Sequence, residues 1–523
     1  MKEMETNHDE KVNEFCSKIN EPEKEEHPAH LEINVRPVIS YLNASSPKET
    51  NNTDNQQSSK ERNVRFSNDN RDNSKEVECN KIRKKVFEAR ESYITELLKI
   101  SHIRTIYNIF IVVFIFYLAY NIFDDYFANG RITLASGTFQ TGFINFHYAF
   151  AIWVILQIYS CAIYYALKIW AIGRRKLQKQ EFLQPCWSFA WLLLYITSQG
   201  LFFYIPAAAC LKFNIKNASC FGLLFETMRL AMKQHAFVRV ICGRILQGKL
   251  DIENNLQIVI MPPFQKYLYY LCAPTLLYCD DYPRTASVRW SFVAARFMEC
   301  VAFVFLFAFL IENHLQPIMS NFGRAELSAG FLIRSFFGIQ LTAMLMVLSF
   351  FFFLLHAWNN LTGELLYFSD RMFHRDWWLA CNYFEFFRDW NTLVGDWLYE
   401  YIFKDFYRYV FKGSKSSSAI AVYVISAVAH EYFMVIPLRI YFPYSSILYI
   451  FGGIALVHIS RWIPRCVGNI VFWLTFFVGN ALVIGLYTAE YYCKKNLPKA
   501  SYKNFLDLWI PHLWACNNTR ELL

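Results

Sequence analysis

Between residues 104 and 492 the chain consists largely of apolar runs separated by short basic segments, and most are long enough to cross a bilayer. They lie at about 104–124, 143–168, 187–213, 218–241, 290–311, 328–356, 416–438, 444–463 and 468–492, nine in all, with the fourth the least apolar. A helix rises about 1.5 Å per residue and the hydrocarbon core of a membrane is roughly 30 Å thick, so about 20 apolar residues suffice. With 54% hydrophobic residues and 50 Phe, 32 Tyr and 14 Trp among 523, the chain is too apolar for one soluble core. The expected fold is an all-α polytopic membrane protein.

Residues 1–85 are rich in Asn, Glu, Lys, Ser and Asp and poor in aromatics, the composition of a disordered tail. No apolar h-region follows the initiator Met1, so no cleavable signal peptide is expected and the first span must target the chain. Charge sets the orientation. Arg174, Arg175, Lys176 and Lys179 follow the second run, Arg239, Arg244 and Lys249 the fourth, and Arg461 and Arg465 the eighth. With the tail cytoplasmic, all three clusters are cytoplasmic, as the positive-inside rule requires. Nine spans then leave the segment 493–523 in the lumen. Cys493 and Cys516 share that oxidising polar tail, apart from the other cysteines, and are expected to form a disulfide. The 14 cysteines contain no C-x-x-C pair and no zinc spacing, so no metal is expected. The net charge of +9 lies largely in loops, with no basic soluble module for nucleic acid.

Two segments carry the pattern of interfacial amphipathic helices. In 86–103, Phe87, Tyr93, Leu97 and Leu98 recur at near-helical spacing among charges. In 399–410, Glu400, Lys404 and Arg408 recur every four residues with Tyr399, Phe403, Phe406 and Val410 on another face.

His430 is the feature that points to chemistry. It lies inside the apolar run between Lys415 and Arg439, which are 24 positions apart. An ionisable side chain at that depth is expensive, faces protein or a cavity, and is a functional candidate by default. The alternative is a packing histidine donating to a carbonyl. Ser426 lies four residues earlier on the same helix face, whereas Glu431 is rotated about 100° away. Upstream, Asp376 with Trp377 and Trp378, and Arg388 with Asp389, Trp390 and Asn391, read singly as caps and interfacial anchors.

Together these stretches resemble the membrane-bound O-acyltransferases, and within them the sterol O-acyltransferases. The resemblance runs from about Lys81 to the C-terminus. It is carried by His102-Ile-Arg-Thr-Ile-Tyr107, Met232-Lys-Gln-His-Ala-Phe-Val-Arg239, Gln265-Lys-Tyr-Leu-Tyr-Tyr-Leu-Cys-Ala-Pro-Thr-Leu276, Tyr282-Pro-Arg284, Val288-Arg-Trp290, Asp370-Arg-Met-Phe373, Asp396-Trp-Leu398, Lys404-Asp-Phe406 and Ser426-Ala-Val-Ala-His-Glu-Tyr432. The interval of 39 residues from Asn391 to His430 is similar to the family's Asn/His pair. The resemblance implies a membrane-bound O-acyltransferase fold over 86–492 and transfer of a fatty acyl group from acyl-CoA, a co-substrate rather than a resident cofactor, to a sterol hydroxyl. It implies His430 as general base and Asn391 holding the thioester carbonyl or His430 itself. Arg388 and Lys415 would hold the phosphates of coenzyme A and Ser426 would line the tunnel, with His102 a weaker candidate for the sterol hydroxyl. A homodimer or homotetramer in the endoplasmic reticulum membrane is implied as well.

Two groups of positions depart from the pattern. Where F-Y-x-D-W-W-N is usual, this chain has His374 for Tyr and Leu379 for the final Asn, and His374 is expected to satisfy the groups the Asn would bond. Glu385, Gly395 and Phe403 stand where Asn, His and Tyr are usual at the acyl-CoA site. Related acceptors, diacylglycerol or a fatty alcohol, are the nearest alternatives. An inactive sterol-binding protein is another, and a transporter would need an internal repeat, which the sequence lacks.

Overall fold

The computed structural model describes residues 85–130, 132, 135–246, 261–496 and 511–515. The tail expected over 1–85 lies outside them except for Lys85, as does Cys516. From Val86 the chain forms one unit. Its principal helices are α1 (Ser101–Asn129), α2 (Phe146–Lys176), α3 (Leu183–Lys212), α4 (Asn217–Leu246), α5 (Trp290–Leu310), α6 (Gln340–Phe351), α7 (Lys415–Leu438) and α8 (Arg465–Asn496). Helix α5 continues through a π-turn to Met319, and α6 is the middle of a helical run from Ala329 to Leu365. Among the described residues, β-structure is limited to the isolated bridges Arg90 to Asp370 and Arg284 to Phe368.

Seven of these helices are long and apolar enough to span a membrane. The other two expected runs are helical but do not meet that description. Helix α4 carries polar residues, and the 444–462 run is broken into short α, π and 3-10 turns. The polarity of α4 has a packing reason. It is wrapped by α2, α3 and α7, and its polar side chains bond to those neighbours rather than to lipid. Gln234 donates to Ser160 on α2 at 2.8 Å and accepts from Gln199 on α3 at 2.9 Å. Lys233, almost fully buried, donates to the carbonyls of Tyr270, Leu271 and Ala273 at 2.7, 3.0 and 2.6 Å. Those carbonyls end the helix Phe264–Cys272, so the ammonium supplies donors that a helix C-terminus otherwise lacks. Arg239 closes the stretch with a two-bond pair to Asp405 at 2.8 and 3.0 Å, so two of the motif stretches meet in space.

The periodicity over 86–103 does not become one surface helix. Only Tyr93–Leu97 is helical before α1 begins. The residues before Tyr93 are non-helical and tied into the fold: Arg90 N–H donates to Ser369, Arg371 N–H donates to the Arg90 carbonyl, and the Arg90 guanidinium meets Asp370 at 2.7 Å. Ser92 is buried and accepts from Asn360 at 3.0 Å. A charged, aromatic stretch reads as amphipathic helix when its charges are assumed to face water. Here Arg90 and Glu91 pair with the protein instead, while Glu88, Glu96 and Lys99 stay exposed. The 399–410 segment is helical as its pattern implies, in two π-turns, Leu398–Phe403 and Phe406–Val410.

A buried ionic knot organises the neighbouring loops. Glu364 and Arg371 side chains are essentially inaccessible and pair at 2.6 Å, while Arg289 reaches Glu364 at 2.7 Å and Glu91 at 2.7 Å. The bend after it places His374 fully inside, donating from Nδ1 to the Arg375 carbonyl at 2.9 Å. His374 does not stand in for an Asn at 379. Leu379 is exposed, and the carbonyls flanking it, Trp378 and Ala380, receive Asn469 of α8 at 3.0 and 2.9 Å. The donor comes from a distant element, which local spacing cannot reveal.

Glu364→Gln removes the closest carboxylate of the buried Arg371 and one of the two that Arg289 pairs with, and should destabilise the protein by about 3–5 kcal/mol, read as a fall in thermal midpoint in detergent. An unchanged midpoint would mean that the knot is structurally idle. Burial pushes the His374 imidazole down to about 4, against the opposing pull of the Arg375 carbonyl. The folded state thus binds fewer protons than the unfolded chain between pH ~4 and ~6.5, and stability falls as pH drops through that window, by roughly 3 kcal/mol in full. His374→Tyr should flatten that part of the stability profile. An unaltered acid limb would assign the proton uptake to other groups.

Candidate active site

Helix α7 starts at a serine cap: Ser414 Oγ accepts from Ser417 N–H at 3.3 Å, and its carbonyl accepts from the Ser418 hydroxyl at 2.7 Å. Lys415 is the first helical residue, exposed, with no ion pair among the described residues. At the other end Arg439 adopts a left-handed φ of 57°, held there by Lys494 donating to its carbonyl at 2.7 Å and by its own guanidinium on Asn214 at 2.6 Å. The helix touches α3, α4, α8, both π-turns of 398–410 and the 444–453 turns. Even so, only Ser418, Ala427 and Pro437 along it are buried.

His430 occupies that setting. Its side chain keeps accessible surface. Nδ1 lies 2.7 Å from the carbonyl of Ser426, one turn earlier. A carbonyl only accepts, so Nδ1 carries the proton and Nε2 is left with its lone pair. This is the bond that a plain packing histidine would make, but it engages one nitrogen only. No described residue bonds Nε2. The ring of Tyr449 stacks on the imidazole at 5.0 Å between centroids, with 23° between planes. Glu431 points elsewhere, as its helical position requires: it accepts from Ser446 N–H at 2.8 Å and from the Tyr487 hydroxyl. Tyr432 anchors the same turn by donating to the Phe203 carbonyl of α3 at 2.9 Å.

Asn391 lies on a separate element. It is the N-cap of the helix Thr392–Trp397, and its Oδ1 accepts from Val394 N–H at 3.1 Å. The cap needs an acceptor, so Nδ2 is what Asn391 still offers. Thr392, beside it, is pinned to the 372–373 bend by its N–H on the Phe373 carbonyl at 3.1 Å and its hydroxyl on Met372 at 2.6 Å. Leu393 packs against two apolar clusters, against one of which Tyr423 also packs and against the other Tyr432 and Phe433. No hydrogen bond joins Asn391 to His430 among the described residues. The hydroxyl of Ser426 also has no partner among them.

Three other expected residues sit differently. Arg388 is exposed but its guanidinium is engaged by two bonds to Asp389, at 2.9 and 2.6 Å. That bidentate pairing with Asp389 holds its charge more firmly. His102 stands in the exposed first turn of α1, and nothing ties it to the His430 cavity. Cys493 is fully buried in the last turns of α8 and is disulfide-bonded to a residue outside the described ones, as is Cys466. Sequence reasoning did not single out Tyr449, which lies in an apolar run where no charge or spacing marks it.

Residues 249–489 match the membrane-bound O-acyltransferase family. The chain is 34% identical over 437 residues to sterol O-acyltransferase 1 of Mus musculus, which covers 83% of this chain and 79% of the relative. It is 34% identical over 436 residues to sterol O-acyltransferase 1 of Chlorocebus aethiops, with 83% and 78% covered. Against sterol O-acyltransferase 2 of Homo sapiens the identity is 31% over 444 residues, with 83% and 81% covered. His430, with one ring nitrogen left without a partner among the described residues, thus stands in a chain that belongs to the membrane-bound O-acyltransferase family.

Proposed function

We propose that this protein transfers a long-chain fatty acyl group from acyl-CoA to the 3β-hydroxyl of a sterol, making steryl esters in the endoplasmic reticulum membrane. The observation that carries the mechanism is the division of labour on His430, whose Nδ1 is spent on the Ser426 carbonyl while Nε2 stays free. Nε2 takes the sterol O–H proton as the oxygen attacks the thioester carbonyl carbon. The C–S bond then breaks, and the proton passes from Nε2 to the departing thiolate, giving the ester and free coenzyme A. A thioester is already activated, so a base and oxyanion stabilisation suffice without a covalent acyl-enzyme. Asn391 donates from Nδ2 to the carbonyl oxygen as charge builds there, and its oxygen remains in the cap. Lys415, an unpaired cation at a helix start, attracts the coenzyme A phosphates, and Arg388 joins it to the extent that Asp389 releases it. Ser426 lines the acyl path.

The sterol enters laterally from lipid, being too apolar to arrive through water. Similarity to sterol O-acyltransferases along more than four-fifths of the chain favours a sterol over diacylglycerol or a fatty alcohol as acceptor. The N-terminus lies in the cytoplasm with the coenzyme A site, the C-terminus lies in the lumen, and the chain assembles with copies of itself. Cys493 pairs with Cys516 across the lumenal tail.

Purified protein supplied with labelled oleoyl-CoA should esterify cholesterol in preference to diacylglycerol. The reverse preference would overturn the acceptor. His430→Ala should lower kcat by about 10²–10⁴-fold, the usual worth of a general base. Asn391→Asp keeps the cap acceptor but loses the donor, and should cost about 10²–10³-fold in kcat with an unchanged thermal midpoint. A change confined to KM would make Asn391 a binding residue. Mass spectrometry of alkylated, non-reduced peptides should find Cys493 linked to Cys516, and a different partner would move the C-terminal tail.

A further inference from the structure

The hydrogen bond from Nδ1 to Ser426 fixes only one degree of freedom of the His430 ring. It sets the direction of Nδ1 but lets the imidazole plane swing about that bond, carrying Nε2 through an arc across the cavity. The second constraint is Tyr449, whose ring lies over the imidazole at 5.0 Å and 23°. A stacked face resists that swing. Tyr449 is itself held in an unusual place: it sits in a π-turn, Leu448–Gly453, between the short helices Tyr444–Ile447 and Ile454–Ile459. A π-turn inserts a residue into a helix and re-aims the side chains around it, and such turns recur at functional sites. The start of this element is fixed independently, by Glu431 accepting from Ser446 N–H and by the Tyr487 hydroxyl, which donates to Glu431 and accepts from Ser445 N–H at 3.0 Å. The residue next to His430 on α7 therefore ties down the element that presents Tyr449. The Tyr449 hydroxyl makes no hydrogen bond among the described residues, so what the site uses is the ring.

We propose that Tyr449 is a positioning residue for His430: with the Ser426 carbonyl fixing the ring's direction, the Tyr449 face fixes its plane, and Nε2 is held on one line into the cavity. This rests on His430 acting as the base. Its energetic basis is that a misplacement of about 1 Å at a reacting group costs about 10²-fold in rate.

The test separates ring from hydroxyl and positioning from folding. Tyr449→Phe should retain kcat within about twofold, and Tyr449→Leu should lower kcat by about 10–100-fold with the KM for oleoyl-CoA and the thermal midpoint little changed. In a His430→Ala background, Tyr449→Leu should cause no further loss, because it acts only through the imidazole. Wild-type turnover in Tyr449→Leu overturns the proposal, as does an equal loss in Tyr449→Phe or a full additional loss in the His430→Ala background. Should Tyr449→Leu fold poorly, Tyr449→Trp, which keeps an aromatic face, decides instead: it should exceed Tyr449→Met in kcat, and equality of the two overturns the proposal. If His430→Ala alone keeps its turnover, the base assignment fails, a result distinguishable from any outcome at Tyr449.

Discussion

The carboxylate of Glu364 is the point from which the placement of Asn391 can be traced. A carboxylate removed from water must be paired and bonded or it unfolds what surrounds it. Glu364 meets this demand with two arginines that come from distant segments, Arg289 before α5 and Arg371 after the α6 run. Arg371 is followed at once by Met372 and Phe373, whose carbonyls hold Thr392. Thr392 is the first residue of the helix that Asn391 caps. The Glu364 ion pairs thereby bear on the bend to which the Asn391-capped helix is pinned.

Helix α7 meets the opposite demand. It must keep a polar ring deep in an apolar protein without spending the ring's chemistry. Full satisfaction of both imidazole nitrogens would be stable and inert, and no satisfaction would be costly. The backbone carbonyl one turn earlier offers a middle course, because a carbonyl left accessible beside a cavity has a lone pair to share even while it serves the helix. Using backbone rather than Glu431 as the partner has a further consequence. Glu431 is released to bind Ser446 and Tyr487, and so stitches α7 to the turn that follows and to α8. A single helical step of about 100° thus separates His430 from the structural Glu431.

The sequence revealed the all-helical membrane architecture, because that rests on a local signal, run length, and it singled out His430 as the one ionisable group deep in an apolar stretch. It also indicated that Glu431 is no partner for His430, since helical geometry alone decides that. What it missed is contributed by distant partners. Lys233 reads as an unwelcome charge in a span until the three carbonyls after Tyr269 are brought to it. Residues 86–92 read as one side of an amphipathic helix until Asp370 and Ser369 pair with them. The stack of Tyr449 on His430 depends on a π-turn, which leaves no mark in residue periodicity.

The departures at the acyl-CoA positions are of three physical kinds, and they do not act alike. Glu385 is absorbed into structure: it accepts from Cys381 N–H at 3.0 Å and pairs with Arg465 at 2.7 Å, which holds its carboxyl below the usual range against the cost of burial. Its charge is neutralised before any phosphate arrives, so the substitution removes an amide without adding a free anion. Phe403 lies in a ladder between Tyr399 and Tyr407, at 5.4 and 6.0 Å with nearly parallel rings, where a hydroxyl is dispensable because the face does the packing. Gly395 is different, since a Cβ built there meets nothing within 4 Å. The space that a side chain would fill at this point is left open. Cys381 and Arg465 have closed the difference at Glu385 from within, and the flanking tyrosines have done the same at Phe403.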